Sequence, residues 1–286
     1  MRRLGLDRVE LAALAALSGL SLLVLAALLT KGRALTGADG LLAADQLQYF
    51  TWIRQAGEHV LAGNEYDMAP DHRVFLHPGF LISGQLHALL GISVPLSYLL
   101  WKPVAVGLLF WGVLRYVRRL LPPGGARYAG LALGVFAVMP ASAVVAWTGF
   151  GGKPRQYTFD FIAGELASAQ YLWGYLMTAI AVALMPLVLL AVERRRRLVL
   201  AAGGALLVTW LQPWQGGTLV LVIAAAEAVS WRRSGERPAA GVAAVLGAAL
   251  APAAASASVR GRPFPRQSST ASRTSGISAT AIAVIR

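Results

Sequence analysis

The sequence predicts an all-α fold, a polytopic transmembrane helical bundle of about seven spans with an outer-loop region of interfacial helices after the first span. Of 286 residues, 57% are hydrophobic and 14% are charged, a composition outside the usual range of water-soluble domains. Apolar runs of about 20 residues, the length that crosses a bilayer as a helix, recur along the chain. Short basic clusters between these runs account for most of the formal charge of +13.

The first span is predicted over 11–29, which is almost wholly apolar. It is longer than the core of a signal peptide, and no small-residue cleavage site follows it, so we expect it to remain as an anchor. The pair 198–211 and 217–229 is short and forms either two crossings or a re-entrant hairpin that turns at 212–216. The remaining spans are predicted over 95–116, 128–147, 171–192 and 239–255.

Basic residues indicate the orientation, because Lys and Arg in short loops favour the cytoplasm. If the spans alternate, all the clusters fall on one side, namely Arg2, Arg3 and Arg8, then Arg115, Arg118, Arg119 and Arg127, then Arg194 to Arg197, then Arg232, Arg233 and Arg237. We therefore predict a multi-pass protein of the inner or plasma membrane with a cytoplasmic N-terminus. This spacing indicates topology, so no nucleic-acid partner is predicted. The lack of cysteine excludes disulfides and thiolate chemistry.

Two outer loops, 30–94 and 148–170, belong to the predicted membrane domain 1–255 and carry most of the acidic residues. In the first loop, apolar residues at helical spacing predict an amphipathic surface helix over 45–61. Asp45 begins this helix, either as an N-cap or as a carboxylate that takes a proton from a hydroxyl or holds a divalent cation. Trp52 is interpreted either as an interfacial anchor or as a stacking platform for a sugar.

This arrangement resembles the GT-C superfamily of membrane glycosyltransferases, in which a large outer loop after the first span carries an essential acidic residue. The matching positions are Asp45 with the Gln-Leu-Gln-Tyr that follows it, Asn-Glu-Tyr-Asp at 64–67 and Phe-Leu-His-Pro-Gly at 75–79. The resemblance covers about residues 1 to 250. The chain departs from the family in lacking an Asp-x-Asp or Asp-Glu pair, further spans and a soluble C-terminal domain.

The resemblance implies transfer of a hexose or pentose from a polyprenyl-phosphate donor to an acceptor on the outer face. Asp45 would be the catalytic residue. Substrate would be bound by Trp52, Arg73, His77, Lys102, Lys153 and Arg155. Membrane lipids are the other expected partner.

Cations on the outer side are needed to stabilise the leaving phosphate. Lys102 lies about 10 Å into the second span, where charge is costly, so it is either functional or extends to the headgroups by snorkelling. Lys153 and Arg155 are alternatively solvated loop charges or contacts to anionic lipid.

A divalent cation, Mg or Mn, is a possible cofactor, with Asp45 and Glu165 as its ligands. Glu165 is alternatively a cap for the short helix before 171–173. The four histidines do not have zinc-site spacing, so a turn or surface position is expected for each of them.

Residues 256–286 are rich in Ser and Arg, without an acidic residue or an apolar period, and are predicted to be a disordered tail. The abrupt change of character favours a frameshift in a GC-rich gene, which would make the chain a truncated family member. The alternatives to an enzyme are a transporter or lipid flippase component, and a noncatalytic scaffold or inactive fragment. A transporter is expected to carry polar or broken-helix elements near the membrane midplane, often in repeated halves.

Overall fold

The computed structural model describes residues 5–30, 43–63, 73–136, 168–235 and 239–260. The regular elements in these ranges are helices, and one isolated bridge joins Ala62 to Phe75. A 3₁₀ turn at Ser168–Leu172 precedes the helix that begins at Leu176. The helices are α1 (Arg8–Thr30), α2 (Ala43–His59), α3 (Pro78–Leu90), α4 (Val94–Leu99), α5 (Trp101–Leu120), α6 (Gly125–Phe136), α7 (Leu176–Glu193), α8 (Leu198–Leu211), α9 (Pro213–Ser234) and α10 (Ala240–Arg260).

Three helical segments are long and apolar enough to cross a membrane: Arg8–Ala26, Val94–Leu120 and Leu176–Glu193. They lie where the first, second and fourth spans are predicted. The second of them joins α4 to α5. Shorter apolar helices, Leu198–Leu211 and Ala240–Pro252, lie within two further predicted spans.

The helices differ from the predicted runs mainly at their ends. Helix α9 begins four residues before the predicted 217–229 run, because Pro213 suits the first helical position, where no N–H bond is lost. Helix α6 covers the first part of the predicted 128–147 span, and residues 137–147 lie outside the described residues. Helix α10 continues to Arg260, beyond the predicted tail boundary at 256, since the alanines at 253–255 favour helix. Residues 261–286 lie outside the described residues.

The core is formed by close contact of small and branched residues between neighbouring helices. Helices α5 and α7 approach so closely at Gly112 that a Cβ atom there would lie 2.2 Å from the carbonyl oxygen of Ala183. Such small-residue contacts are typical of helices that pack in lipid. Helix α8 packs in turn against α7, α9 and α10.

Ion pairs gather the arginines at one end of the bundle. Arg118, near the end of α5, pairs with the fully buried Glu10 in the first turn of α1. Arg119 binds Glu193 at 2.6 Å, at the end of α7, and Arg195 binds Glu227 of α9 at 2.8 Å. Since α5 and α7 both end here, they begin at the opposite end of the bundle, about 30 Å away.

Helices α2 and α3 form a closely packed hairpin that belongs to that opposite end. A Cβ atom on Gly84 would lie 2.4 Å from the carbonyl oxygen of Ile53, and one on Gly57 would lie 2.6 Å from the oxygen of Gly84. Helix α2 ends at His59, because the next residue, Val60, has a positive φ of 68°. Its end therefore lies two residues before the end of the predicted 45–61 helix.

Candidate functional site

A cavity of about 310 Å³ lies at the end of the bundle away from the ion-paired arginines. It is enclosed by α2, the segment that leads into α3, the first turn of α7 and the junction of α8 with α9. Its lining consists of Asp45, Gln48, Tyr49, Trp52, Phe75, His77, Phe80, Tyr98, Tyr175, Met177, Thr178, Trp210, Leu211, Gln212 and Pro213. Three of the predicted site residues, Asp45, Trp52 and His77, therefore share one cavity.

Asp45 is held by a tyrosine from a distant part of the chain. The Tyr175 hydroxyl donates a hydrogen bond of 2.7 Å to Oδ2 of Asp45, joining residues 130 positions apart. Asp45 is the third residue of α2, so it is not the N-cap residue that the sequence allowed. Within the described residues no hydrogen bond is made to Oδ1, which leaves this oxygen to accept a proton or bind a ligand.

The position of Tyr175 is fixed by the turn that precedes α7. The buried Tyr98 hydroxyl donates to the carbonyl of Gly174 at 2.8 Å and accepts from the N–H of Leu176 at 3.2 Å. Gly174 has a φ of +107°, a conformation that residues with a side chain rarely adopt. Trp173 donates to the carbonyl of Leu20 at 2.7 Å, which ties the same turn to α1.

Lys102 supports this turn and does not line the cavity. Its ammonium group donates to the carbonyls of Ser21 at 3.0 Å and Leu172 at 2.7 Å, and the side chain is only 5% exposed. The charge is therefore held between α1, α5 and the 3₁₀ turn by backbone oxygens. The alternative of snorkelling to the headgroups does not describe this side chain.

Aromatic rings form one wall of the cavity. The ring centroid of Trp52 is 4.9 Å from that of Phe75 and 6.1 Å from that of Tyr49. The Trp52 indole N–H donates to the carbonyl of Gly63 at 3.0 Å, which fixes the ring. Tyr49 also lies 6.2 Å from Tyr175, edge to face. Rigid, amphipathic rings of this kind suit the C–H face of a sugar or an organic cation.

His77 is a neutral part of the cavity wall. As the N-cap residue of α3, it accepts the N–H of Phe80 at Nδ1, so the proton is on Nε2, which lies 3.2 Å from the carbonyl of Leu211. Burial lowers the pKa of His77 to about 4, which leaves the ring uncharged at neutral pH. Both nitrogens bind backbone, so His77 holds α3 against the end of α8.

The remaining wall is polar and comes from the α7 and α8 ends. Gln212, the residue between α8 and α9, donates from its side-chain amide to the Thr178 hydroxyl at 3.1 Å. Trp210 donates to the carbonyl of Leu76 at 2.8 Å, which joins α8 to the segment before α3. The neutral hydrogen-bonding side chains of Thr178 and Gln212 therefore line the cavity together with Asp45.

The cavity is electrostatically negative in the part of the chain that the structure describes. Asp45 is the one charged side chain among its described lining residues, since His77 is neutral. Arg73 is exposed and is not part of the lining. Lys153 and Arg155 lie outside the described residues.

Metal ligands in the described residues are few. Those residues contain no group of three His, Asp or Glu side chains that could hold an ion, and Glu165 lies outside them. A single protein carboxylate can nevertheless bind Mg²⁺ when a substrate phosphate supplies further oxygen ligands. Asp45 fits a divalent cation only in that shared form.

Tyr175, Thr178 and Gln212 were not predicted as site residues. The available signal was position alone, because Tyr175 lies near the start of the predicted 171–192 span, on the same predicted side of the membrane as Asp45. No protein-family model, no curated protein and no solved structure matches this chain.

Proposed function

We propose that this chain is a membrane glycosyltransferase-like protein that transfers a hexose or pentose from a polyprenyl-phosphate donor to an acceptor hydroxyl. The observation that carries the proposal is the Asp45 carboxylate, held by Tyr175 in a cavity walled by half-buried aromatic rings. The rings supply a face for a sugar, and the carboxylate supplies a proton acceptor. The resemblance of the first outer loop to the GT-C pattern supports the same assignment.

The proposed transfer step needs a proton acceptor for the hydroxyl and a surface that positions the sugar. The acceptor oxygen bonds to the anomeric carbon, the bond from that carbon to the phosphate oxygen breaks, and the hydroxyl proton passes to Oδ1 of Asp45. Tyr175 keeps the carboxylate oriented through Oδ2, so Oδ1 faces the acceptor. Trp52 and Tyr49 position the sugar by stacking.

The leaving phosphate needs positive charge, which the described lining does not supply. We assign this role to Arg73, Lys153 and Arg155. Asp45 and Glu165 would hold a divalent cation, Mg²⁺ or Mn²⁺, which would neutralise further charge on the donor phosphate. Lys102 receives no phosphate role, because its ammonium group already binds two carbonyl oxygens.

The proposal also assigns the cavity to the outer face of a seven-span bundle with a cytoplasmic N-terminus. The gathering of Arg118, Arg119 and Arg195 at the opposite end supports this, since basic residues favour the cytoplasmic side. In this arrangement α2 and α3 lie along the outer surface of the membrane. The exposed Leu47 of α2 and Val60 directly after it, 54% and 50% accessible, would face lipid there.

The test is donor consumption in proteoliposomes that contain the purified chain. Radiolabelled polyprenyl-phosphate hexose and pentose are supplied with an extract of envelope lipids and glycans as acceptors, and released polyprenyl phosphate is measured. We expect release by the wild type and by Glu58→Gln, an exposed acid on the same helix, but not by Asp45→Asn. Equal release by wild type and Asp45→Asn contradicts the role of Asp45. No release by the wild type favours the scaffold or fragment.

A further inference from the structure

The described lining of the cavity combines one carboxylate with several aromatic faces. Asp45 provides the negative charge, and the half-buried Tyr49, Trp52 and Tyr175 line the same cavity. The other described polar groups, including those of Thr178, are neutral. When no divalent cation is bound, the field of the described lining near Asp45 therefore attracts cations and disfavours anions.

We infer that the acceptor carries a protonated amine next to its reacting hydroxyl, as an amino sugar does, and that the ammonium group binds between Asp45 and the aromatic wall. This inference rests on the proposed function and names the acceptor class of the same site. Ammonium groups bind carboxylates by charge-assisted hydrogen bonds, which are about twice as strong as neutral ones. They also bind the faces of Trp and Tyr rings at about 6 Å from the centroid.

A neutral sugar satisfies this site less well. The Asp45 carboxylate is partly removed from water by the surrounding rings, and a neutral hydroxyl offers it only a weaker hydrogen bond. An anionic acceptor is disfavoured, because its charge would lie beside Asp45 in surroundings that screen it poorly. The charge of the described lining thus ranks cationic above neutral above anionic ligands.

The ammonium group and the reacting hydroxyl can share the same carboxylate. A carboxylate has about four acceptor positions, and Tyr175 occupies one of them, on Oδ2. The ammonium N–H takes the second position on Oδ2, while the hydroxyl donates to Oδ1. A vicinal amino alcohol carries its two donors on neighbouring carbons, so they can reach the two oxygens of one carboxylate. An amine without a neighbouring hydroxyl would bind there but would offer no nucleophile for the transfer.

The inference is tested by comparing two ligands that differ in the amine alone. Methyl glucosaminide and methyl glucoside are titrated by NMR into the full chain in nanodiscs at pH 7. We expect the glucosaminide to bind about tenfold more tightly, as a charge-assisted bond with a cation–π contact implies. The preference should vanish in Asp45→Asn and persist in Glu58→Gln, whose changed carboxylate lies in an exposed pair with Arg54. N-acetylation of the amine should abolish it in the wild type.

Equal binding of the two glycosides, binding of neither, or a preference that survives in Asp45→Asn overturns the inference. The wild-type comparison does not depend on the stability of any variant. Transfer to a neutral acceptor with no advantage for the amine would reject the ligand class and leave the proposed function standing. Selective binding of the amine without any transfer would reject the proposed function alone.

Discussion

At the scale of single residues, the site depends on a hydrogen bond that links α2 to the start of α7. The Tyr175 hydroxyl, 2.7 Å from Oδ2, holds one rotamer of Asp45. A hydrogen bond to a charged group contributes about 1.5–3 kcal/mol. Orientation of Asp45 is therefore expected to have a measurable effect on the rate.

Replacement of Tyr175 by Phe should lower kcat about tenfold with little change in KM, because it removes the hydroxyl and keeps the ring. Donor release by the purified variant measures this. Tyr116→Phe is the matched control, since the structure gives the Tyr116 hydroxyl, at the other end of α5, no hydrogen bond within the described residues. A Tyr175→Phe variant that releases donor as fast as the wild type would show that the bond does not position Asp45.

Protonation of His77 should destabilise the fold in acid. Its pKa falls from 6.5 to about 4 on folding, so between these values the unfolded chain binds more protons and stability falls with falling pH. From pH 7 to pH 4 the loss due to this group is about 3 kcal/mol.

His77→Asn keeps an N-cap acceptor for α3 and removes the titration. Its unfolding free energy should therefore fall less over this range than that of the wild type. Thermal unfolding in detergent at several pH values measures the difference, with exposed His59→Asn as the control. Parallel pH curves for wild type and His77→Asn would refute the assignment.

Residue types with strong local chemistry could be predicted from sequence, whereas their partners could not. Asp45 and Trp52 were named because an acid at the start of an amphipathic helix and an aromatic ring within that helix are local signals. Tyr175 escaped because its role depends on a contact across 130 residues. Lys102 was recognised as unusual, but sequence does not reveal that the carbonyls of Ser21 and Leu172 would enclose it.

At the scale of elements, the α2–α3 hairpin carries Asp45 to the cavity. Its two helices touch through the backbones of Gly57 and Gly84, with no room for a methyl group between them. Any side chain at this crossing must separate the helices and move the first turn of α2 relative to Tyr175.

Gly84→Ala should destabilise the protein by about 1–3 kcal/mol, the usual cost of overpacking, and should reduce donor release as well. Its Cβ atom would lie 2.4 Å from the Ile53 oxygen and 2.5 Å from the Gly57 nitrogen. Gly107→Ala is the control, because nothing lies within 4 Å of a Cβ there and Ala favours helix. Equal melting temperatures for the two variants would exclude the close crossing.

Helices were predicted best where the apolar run was uninterrupted. Helix α8 occupies the predicted 198–211 bounds, since an arginine cluster precedes it and Pro213 follows it. The end of α2 was misplaced by two residues because Val60 adopts a positive φ, which a β-branched residue seldom does. Tertiary contact, here the bridge from Ala62 to Phe75, fixes this end.

At the scale of the whole molecule, charge is separated between the two ends. Glu10, Glu193 and Glu227 pair with arginines at one end, and Asp45 lies in the cavity at the other. Composition alone predicted a membrane protein, and three helices are long and apolar enough to cross a bilayer. The seven-span count and the orientation remain predictions.

Orientation can be measured by cysteine labelling, since the chain has no cysteine of its own. Arg54→Cys on α2 and Ser234→Cys at the end of α9 are both at exposed positions. A membrane-impermeant maleimide added to intact cells should label Arg54→Cys, and should label Ser234→Cys only after permeabilisation. The reverse pattern would place the cavity on the cytoplasmic side.

The most direct test of the account is the turnover of Asp45→Asn relative to Glu58→Gln at equal abundance in proteoliposomes. Removal of a catalytic base costs about 10²- to 10⁴-fold. We expect a fall of at least about 100-fold in release of polyprenyl phosphate for Asp45→Asn and an unchanged rate for Glu58→Gln. Equal rates for the two variants would contradict it.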